Sequence, residues 1–257
     1  MAKRFPDPRS ILITGASSGI GEGLALAYAA PGRRLALSGR DRERLEGVAE
    51  RCAGTGAEVE ARVIDVADAD AMQGWIDALD AARPLDLVIA NAGVSAGSGG
   101  GGEDAAQTRR LFSVNVDGMI NTVWPALPAM RQRGHGQFAL LASMAAYRGL
   151  LTAPAYSATK AAVKAYGEAL GPWLAGHGIG VSVICPGFVE SRITATNRFP
   201  MPMLMDAGTA AAIIRARLAR NAARISFPWP MALMAWTLAT LPPALADPIL
   251  ARAPKKD

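Results

Sequence analysis

The chain has 257 residues, 51% hydrophobic and 19% charged, with 27 lysines and arginines against 22 acids for a net charge of +5. Such a chain can bury a substantial core without staples, and its composition excludes intrinsic disorder. The basic residues are scattered with no aromatic interleaving, so nucleic acid is not expected as a partner; two histidines and two cysteines, in no ligand spacing, exclude a zinc site and a disulfide framework.

The first ten residues, MAKRFPDPRS, hold no apolar signal segment, which makes the cytoplasm the expected compartment. Residues 10–13 read as a short buried strand and 21–30 as a helix of small apolar residues. A second strand follows at 34–39 and an amphipathic helix at 41–52, with Leu45, Val48, Ala49 and Cys52 on one face. A third strand spans 58–66, and Asp68 is placed to cap a helix over 68–82. A fourth strand, 85–93, runs into a loop; the glycine run 97–102 reads as a mobile surface loop before a helical region from about 104 to 133. A fifth strand (137–143), a helix (153–175) and a sixth strand (179–187) complete the pattern. Strands alternating with helices predict an α/β fold: a Rossmann-type, doubly wound parallel sheet with helices on both faces. No linker divides the chain, so residues 1–257 are expected to form one domain, with 192–257 as its substrate-binding segment.

The stretch TGASSGIG at 14–21 sits between the first strand and the first helix. Strand, glycine loop and helix form a phosphate-binding arrangement. Gly15 permits a tight exit from the strand, and Gly19 and Gly21 let the backbone approach a pyrophosphate. The helix start offers free N–H groups and partial positive charge. Where an acidic side chain would hold a ribose 2′-hydroxyl, the second strand ends Ser38-Gly39-Arg40. A cation there favours a 2′-phosphate, so NADP is expected over NAD, with Arg40 on the phosphate. The competing possibility is that Asp41 holds the ribose and Arg40 is a solvated charge.

Tyr156 and Lys160 lie four apart on a predicted helix and so share a face. An ammonium close to a phenol favours the phenolate, which would let Tyr156 exchange a proton with a substrate oxygen near neutral pH. Ser143 ends the fifth strand, on the side where open α/β sheets bind ligands. Asn115 falls mid-helix, where asparagine is a poor helix former, and invites a local reason such as a kink holding a water beside Lys160.

Taken together, TGASSGIG, Asp65-Val66, ANAG (90–93), Asn115, Ser143, YSATK (156–160) and PGFVES (186–191) resemble the short-chain dehydrogenase/reductase family in its short, single-domain form, over about residues 9–192. The resemblance implies a catalytic set of Asn115, Ser143, Tyr156 and Lys160. It implies cofactor contacts from Gly15, Ser17, Ser18, Gly19, Ile20, Gly21, Arg40, Asp65, Val66, Asn91, Ala92, Gly93, Tyr156, Lys160, Pro186, Gly187, Val189 and Ser191. Within that set, Asp65 and Val66 frame the adenine, Lys160 also bonds the nicotinamide ribose, and Val189 meets the carboxamide through its backbone. Ala90 replaces the usual first asparagine of the Asn-Asn-Ala-Gly motif, and Ser191 stands where threonine is common. The implied activity is hydride transfer between a nicotinamide and a carbonyl or secondary alcohol, in a homodimer or homotetramer assembled through the helices at 104–133 and 153–175. The alternative is a non-catalytic dinucleotide sensor or scaffold on the same fold.

The last third is very apolar, with FPMPMLM at 199–205 and FPWPMALMAWTL at 227–238. A hydrophobic ketone or alcohol is the expected substrate, with core packing or a subunit contact as the plainer role of these residues. Residues 225–246 carry no charge, but prolines interrupt them; the unbroken part, 231–241, would rise only about 16 Å as a helix, short of a membrane span. Peripheral membrane contact through 227–246 is a third possibility, since Arg252, Lys255 and Lys256 follow and would suit anionic lipid.

Overall fold

A computed structural model describes residues 4–5, 7–95, 103–195 and 200–251. The glycine run 97–102, part of 199–205, and Arg252, Lys255 and Lys256 lie outside the described residues.

The first half is built from β1 (Ser10–Thr14), α1 (Gly19–Tyr28), β2 (Arg34–Gly39), α2 (Arg42–Ala53), β3 (Glu58–Val63), α3 (Ala69–Ala82) and β4 (Leu87–Ala90). The second half holds α4 (Ala105–Phe112), a π-helical turn at Ser113–Asp117, α5 (Gly118–Val123), α6 (Leu127–Arg133), β5 (Gly136–Leu141), α7 (Pro154–Ala175) and β6 (Ile179–Pro186). It ends with α8 (Arg192–Ala195), α9 (Ala207–Leu218), β7 (Arg224–Phe227), α10 (Trp229–Thr240) and α11 (Pro243–Ala251). The sheet is parallel in the order β3-β2-β1-β4-β5-β6-β7. The order reverses between β1 and β4, which opens a crevice beyond their carboxyl ends.

The central strands are apolar on both faces, as parallel strands covered by helices must be. One core gathers Leu12, Val88, Phe138, Leu140 and Val183 against Trp75, Ile76 and Val163. The other gathers Ile11, Ile13, Leu37 and Ile89 against Leu24, Leu45 and Ile214. Together these fix the strand ends from which the cleft residues project.

Three differences from the sequence reading have local causes. The helix expected at 104–133 is divided: Asn115 sits in the π-helical turn, and Pro125 and Pro128 limit α5 and α6. The first helix begins at Gly19, two positions earlier than read. A seventh strand, β7, closes the far edge by pairing with β6; at four residues it is too short for a periodic signal.

Candidate active site

A cleft of about 930 Å³ opens at the carboxyl ends of the strands. That is room for a dinucleotide with a substrate beside it. At one end lies the glycine turn. Gly15 and Gly19 take positive φ values of 68° and 58°. A Cβ on Gly21 would come within 2.2 Å of the Gly15 carbonyl oxygen, so no side chain fits there. Ser18 occupies the N-cap position of α1 without a side-chain cap bond, so no serine hydroxyl competes for the first N–H groups. Bare backbone, a helix N-terminus and no intruding side chain suit a pyrophosphate.

The turn is held from β4. Asn91 Nδ2 donates to the carbonyls of Thr14 (2.9 Å) and Gly15 (3.1 Å), and Thr14 Oγ1 accepts from the N–H groups of Asn91 and Ala92, both at 3.2 Å. Asn91 was expected to pack beside a cofactor; it lines the cleft and also clamps the glycine turn. Thr14 was not among the expected site residues, and its bonds span more than seventy residues of sequence.

Beyond β2, Gly39 packs against Ser17, and a Cβ on it would lie 3.1 Å from the serine Oγ. Asp41 is engaged elsewhere: its carboxylate caps α2 through the Arg44 N–H (3.3 Å) and pairs with Arg44 (3.3 Å) and Arg192 (3.6 Å). Arg40 is exposed at the cleft and forms no ion pair among the described residues. Asp65 and Val66 line the same end.

At the other end stand Ser143, Tyr156 and Lys160. Ser143 follows β5, and its Oγ accepts the Ala145 N–H at 3.1 Å. Lys160 is buried, and its Nζ donates to the Leu141 carbonyl at 2.9 Å and lies 5.9 Å from the Tyr156 ring centroid. Burial lowers the Lys160 ammonium to about 8, with Cys185 opposing weakly. Burial also raises the Tyr156 phenol, and the Ser143 hydroxyl bonded to it pulls the other way. In the protein alone the direction is opposite to the acidified phenol expected from the sequence: loss of hydration is the larger effect, and the Ser143 hydrogen bond opposes it.

Asn115 is buried behind the cleft and does not line it. Its Oδ1 accepts from the Val94 N–H (2.8 Å), and its Nδ2 donates to the Val94 carbonyl (3.0 Å) and to Thr159 Oγ1 (3.0 Å). The local reason is a π-helical turn, which presents an amide that pins the segment after β4 to α7. Gly19 and Gly21 likewise underlie the cleft, while Ser17, Ile20, Ala92, Gly93, Pro186, Gly187, Val189 and Ser191 line it with the residues above.

Two further residues escaped the sequence reading. Glu103 accepts hydrogen bonds from the backbone N–H groups of Ala155 and Tyr156 (3.2 Å for Tyr156), serving as the cap that Ala153 cannot supply to α7. Arg148, on the cleft wall, donates to the Leu241 carbonyl (3.1 Å) and pairs with Asp247 (3.0 Å), which fastens the α10–α11 connection across the cleft. No spacing rule joins residues so far apart in sequence. No group of three or more acidic, histidine or cysteine residues suited to a metal occurs among the described residues.

A doubly wound sheet, a bare glycine turn at its switch point and a Ser–Tyr–Lys group across one cleft define a nicotinamide-dinucleotide oxidoreductase. A family model described as short chain dehydrogenase matches residues 9–200. An uncharacterized oxidoreductase of Myxococcus xanthus is 40% identical over 240 residues, covering 93% of this chain and 95% of the relative. A short-chain dehydrogenase from Sphingobium yanoikuyae in complex with NADPH superposes with a TM-score of 0.79 at 25% identity, over 95% of each chain. A 3-ketoacyl-ACP reductase from Sinorhizobium meliloti superposes with a TM-score of 0.74 at 29% identity, over 88% of this chain and 99% of that one. The chain belongs to the short-chain dehydrogenase/reductase family.

Proposed function

We propose that the protein is an NADP-dependent oxidoreductase that interconverts a carbonyl and a secondary alcohol on a hydrophobic substrate. The nicotinamide, when bound, gives or takes the hydride. Tyr156 gives the proton to the carbonyl oxygen in reduction and takes it from the alcohol in oxidation. Ser143 holds that oxygen by its hydroxyl. Lys160, protonated below about pH 8, favours the phenolate and offers its ammonium to the ribose. Asn115 acts at one remove, through Val94 and Thr159.

The observation that carries this reading is the meeting of Ser143, Tyr156 and Lys160 with the glycine turn on one cleft. The preference for NADP is supported by Gly39 in the acid's place, an exposed Arg40, and the engagement of Asp41 with α2, Arg44 and Arg192. The apolar substrate is supported by Leu150, Leu151, Met231, Met234, Leu238 and Ile249 on the cleft wall. We also propose a homo-oligomer formed through α4–α7, which leave Phe112, Trp124 and Trp173 exposed, and a cytoplasmic location.

The test is NADPH oxidation with a panel of ketones, wild type against Tyr156→Phe. The variant should bind NADPH nearly as well and turn over at least about a hundredfold more slowly, within the range for a lost general acid. A substantial retained kcat would overturn the assignment, and a wild type that binds NADPH but oxidises it with no ketone would favour the sensor alternative.

A further inference from the structure

Helices α10 and α11 carry an apolar surface that the oxidoreductase reading does not account for. Trp229 is 74% exposed, and Leu233, Trp236 and Leu245 are between 55% and 59% exposed. Only Met231 on α10 and Ala246 on α11 are buried. A helix apolar all round is normally enclosed by protein; here the outward side is open. Asp247 is the single charged residue on the two helices, and it is paired with Arg148.

The same helices also form the cleft wall. Met231, Met234, Leu238, Ile249 and Leu250 face the cleft, and Leu150 (39% exposed) and Leu151 (58% exposed) stand on it too. The apolar exterior and the apolar interior are therefore parts of one surface that passes over the cleft rim. Exposed apolar surface on this scale marks an interaction site.

We propose that α10 and α11 dock on a lipid bilayer bearing anionic headgroups, and that the substrate is a membrane-resident apolar ketone or secondary alcohol that enters the cleft over that rim. The proposal rests on the oxidoreductase reading for its substrate, though not for its docking. Four observations favour a bilayer over a second protein. A rigid partner seated on the patch would stop the mouth of the cleft, whereas a fluid acyl layer covers the patch and feeds it. Trp229 and Trp236 have the amphipathic rings that settle at headgroup depth. No described helix is long and apolar enough to cross a membrane, and the twelve residues of α10 rise only about 18 Å, so the helices would lie in the interface. The sequence after Ala251 reads RAPKKD, three cations against one acid, which complements anionic headgroups.

The experiment is flotation at low salt with vesicles of phosphatidylcholine and phosphatidylglycerol, using wild type and a Trp229→Ser/Trp236→Ser variant. Both tryptophans are exposed, and neither belongs to the proposed catalytic or cofactor-binding set. Wild type should float with the vesicles and the variant should stay behind. In a second arm, NADPH-dependent reduction is compared for a short water-soluble ketone and a long-chain ketone dissolved in the vesicles. The variant should keep its rate on the soluble ketone within about twofold, which also shows that it folds, and lose about tenfold or more on the vesicle-borne one. Wild type remaining wholly in the soluble fraction would overturn the proposal. So would a wild-type dimer that the double substitution dissociates in light scattering, without any vesicle binding. Absence of turnover on every ketone would strike the oxidoreductase reading alone, since flotation requires no catalysis.

Discussion

At Tyr156 two effects oppose each other, and their balance sets the pH behaviour. Burial raises the phenol, so its acid form persists through the neutral range. Carbonyl reduction, which consumes that acid form, should have a kcat/KM that is level near neutrality and falls only in alkali. Alcohol oxidation needs the phenolate and should rise with pH. Lys160→Ala removes a charge that favours the phenolate below about pH 8, so its loss of oxidation rate should be largest there and shrink above that pH. Profiles of kcat/KM in both directions check this; a flat oxidation profile would remove the phenol as base. Glu103 supports a second prediction. Its carboxylate takes the N–H groups of Ala155 and Tyr156, so Glu103→Ala should cost about 1 kcal/mol, the usual worth of an N-cap. Because the frayed turn carries Tyr156, kcat should also fall, by about tenfold, with NADPH affinity little changed. Glu103→Gln, which retains one acceptor oxygen, should recover part of the loss. Denaturant melts beside steady-state kinetics separate the two effects.

At the level of elements, α7 fixes the relation between Tyr156 and Lys160, and Ala155, Ser157, Thr159, Val163 and Leu170 bury its inner side. That helix was legible because its spacing is local. The same holds for β1, β2 and β6, whose apolar runs end in glycine or proline. The division of 104–133 was legible only in part: Asn115 stood out as a place for a kink and Pro125 and Pro128 stood in the sequence, but nothing in the helical periodicity encodes the bond between Asn115 and Val94 that ties the π-helical turn. Arg148 was hidden for the same reason: its partners are Leu241 and Asp247, on elements joined to it only through space. Because this ion pair is partly exposed, it contributes only about 0–1 kcal/mol to stability. Its consequence should appear in substrate handling. Arg148→Ala should raise KM for a bulky apolar ketone several-fold and leave kcat for a small one within about twofold, as expected when only uniform binding is lost. An unchanged KM for the bulky ketone would mean that α10 and α11 hold their place without it.

For the whole molecule, cofactor binding and folding are linked, since the glycine turn, Asn91 and the ends of β1 and β4 form one site only in the native chain. At a hundredfold excess over Kd, a bound cofactor adds about 2.7 kcal/mol, which for a chain of this size corresponds to a Tm rise of roughly 5–10 °C. Equal concentrations of NADPH and NADH should give unequal rises, the larger with NADPH, and Arg40→Ala should bring the two together. Thermal melts measure this directly. A larger rise with NADH in the wild type would return the ribose to Asp41 and remove the NADP assignment.

The tie from Arg148 to the Leu241 carbonyl and Asp247 also bears on redesign. A chimaera that grafts the terminal segment of another relative onto this body, to borrow its appetite for a different alcohol, must bring a matching carboxylate and carbonyl or change Arg148 with them. Otherwise the transplanted helices leave a guanidinium stranded beside greasy surface, and the new specificity arrives on a lid that will not seat.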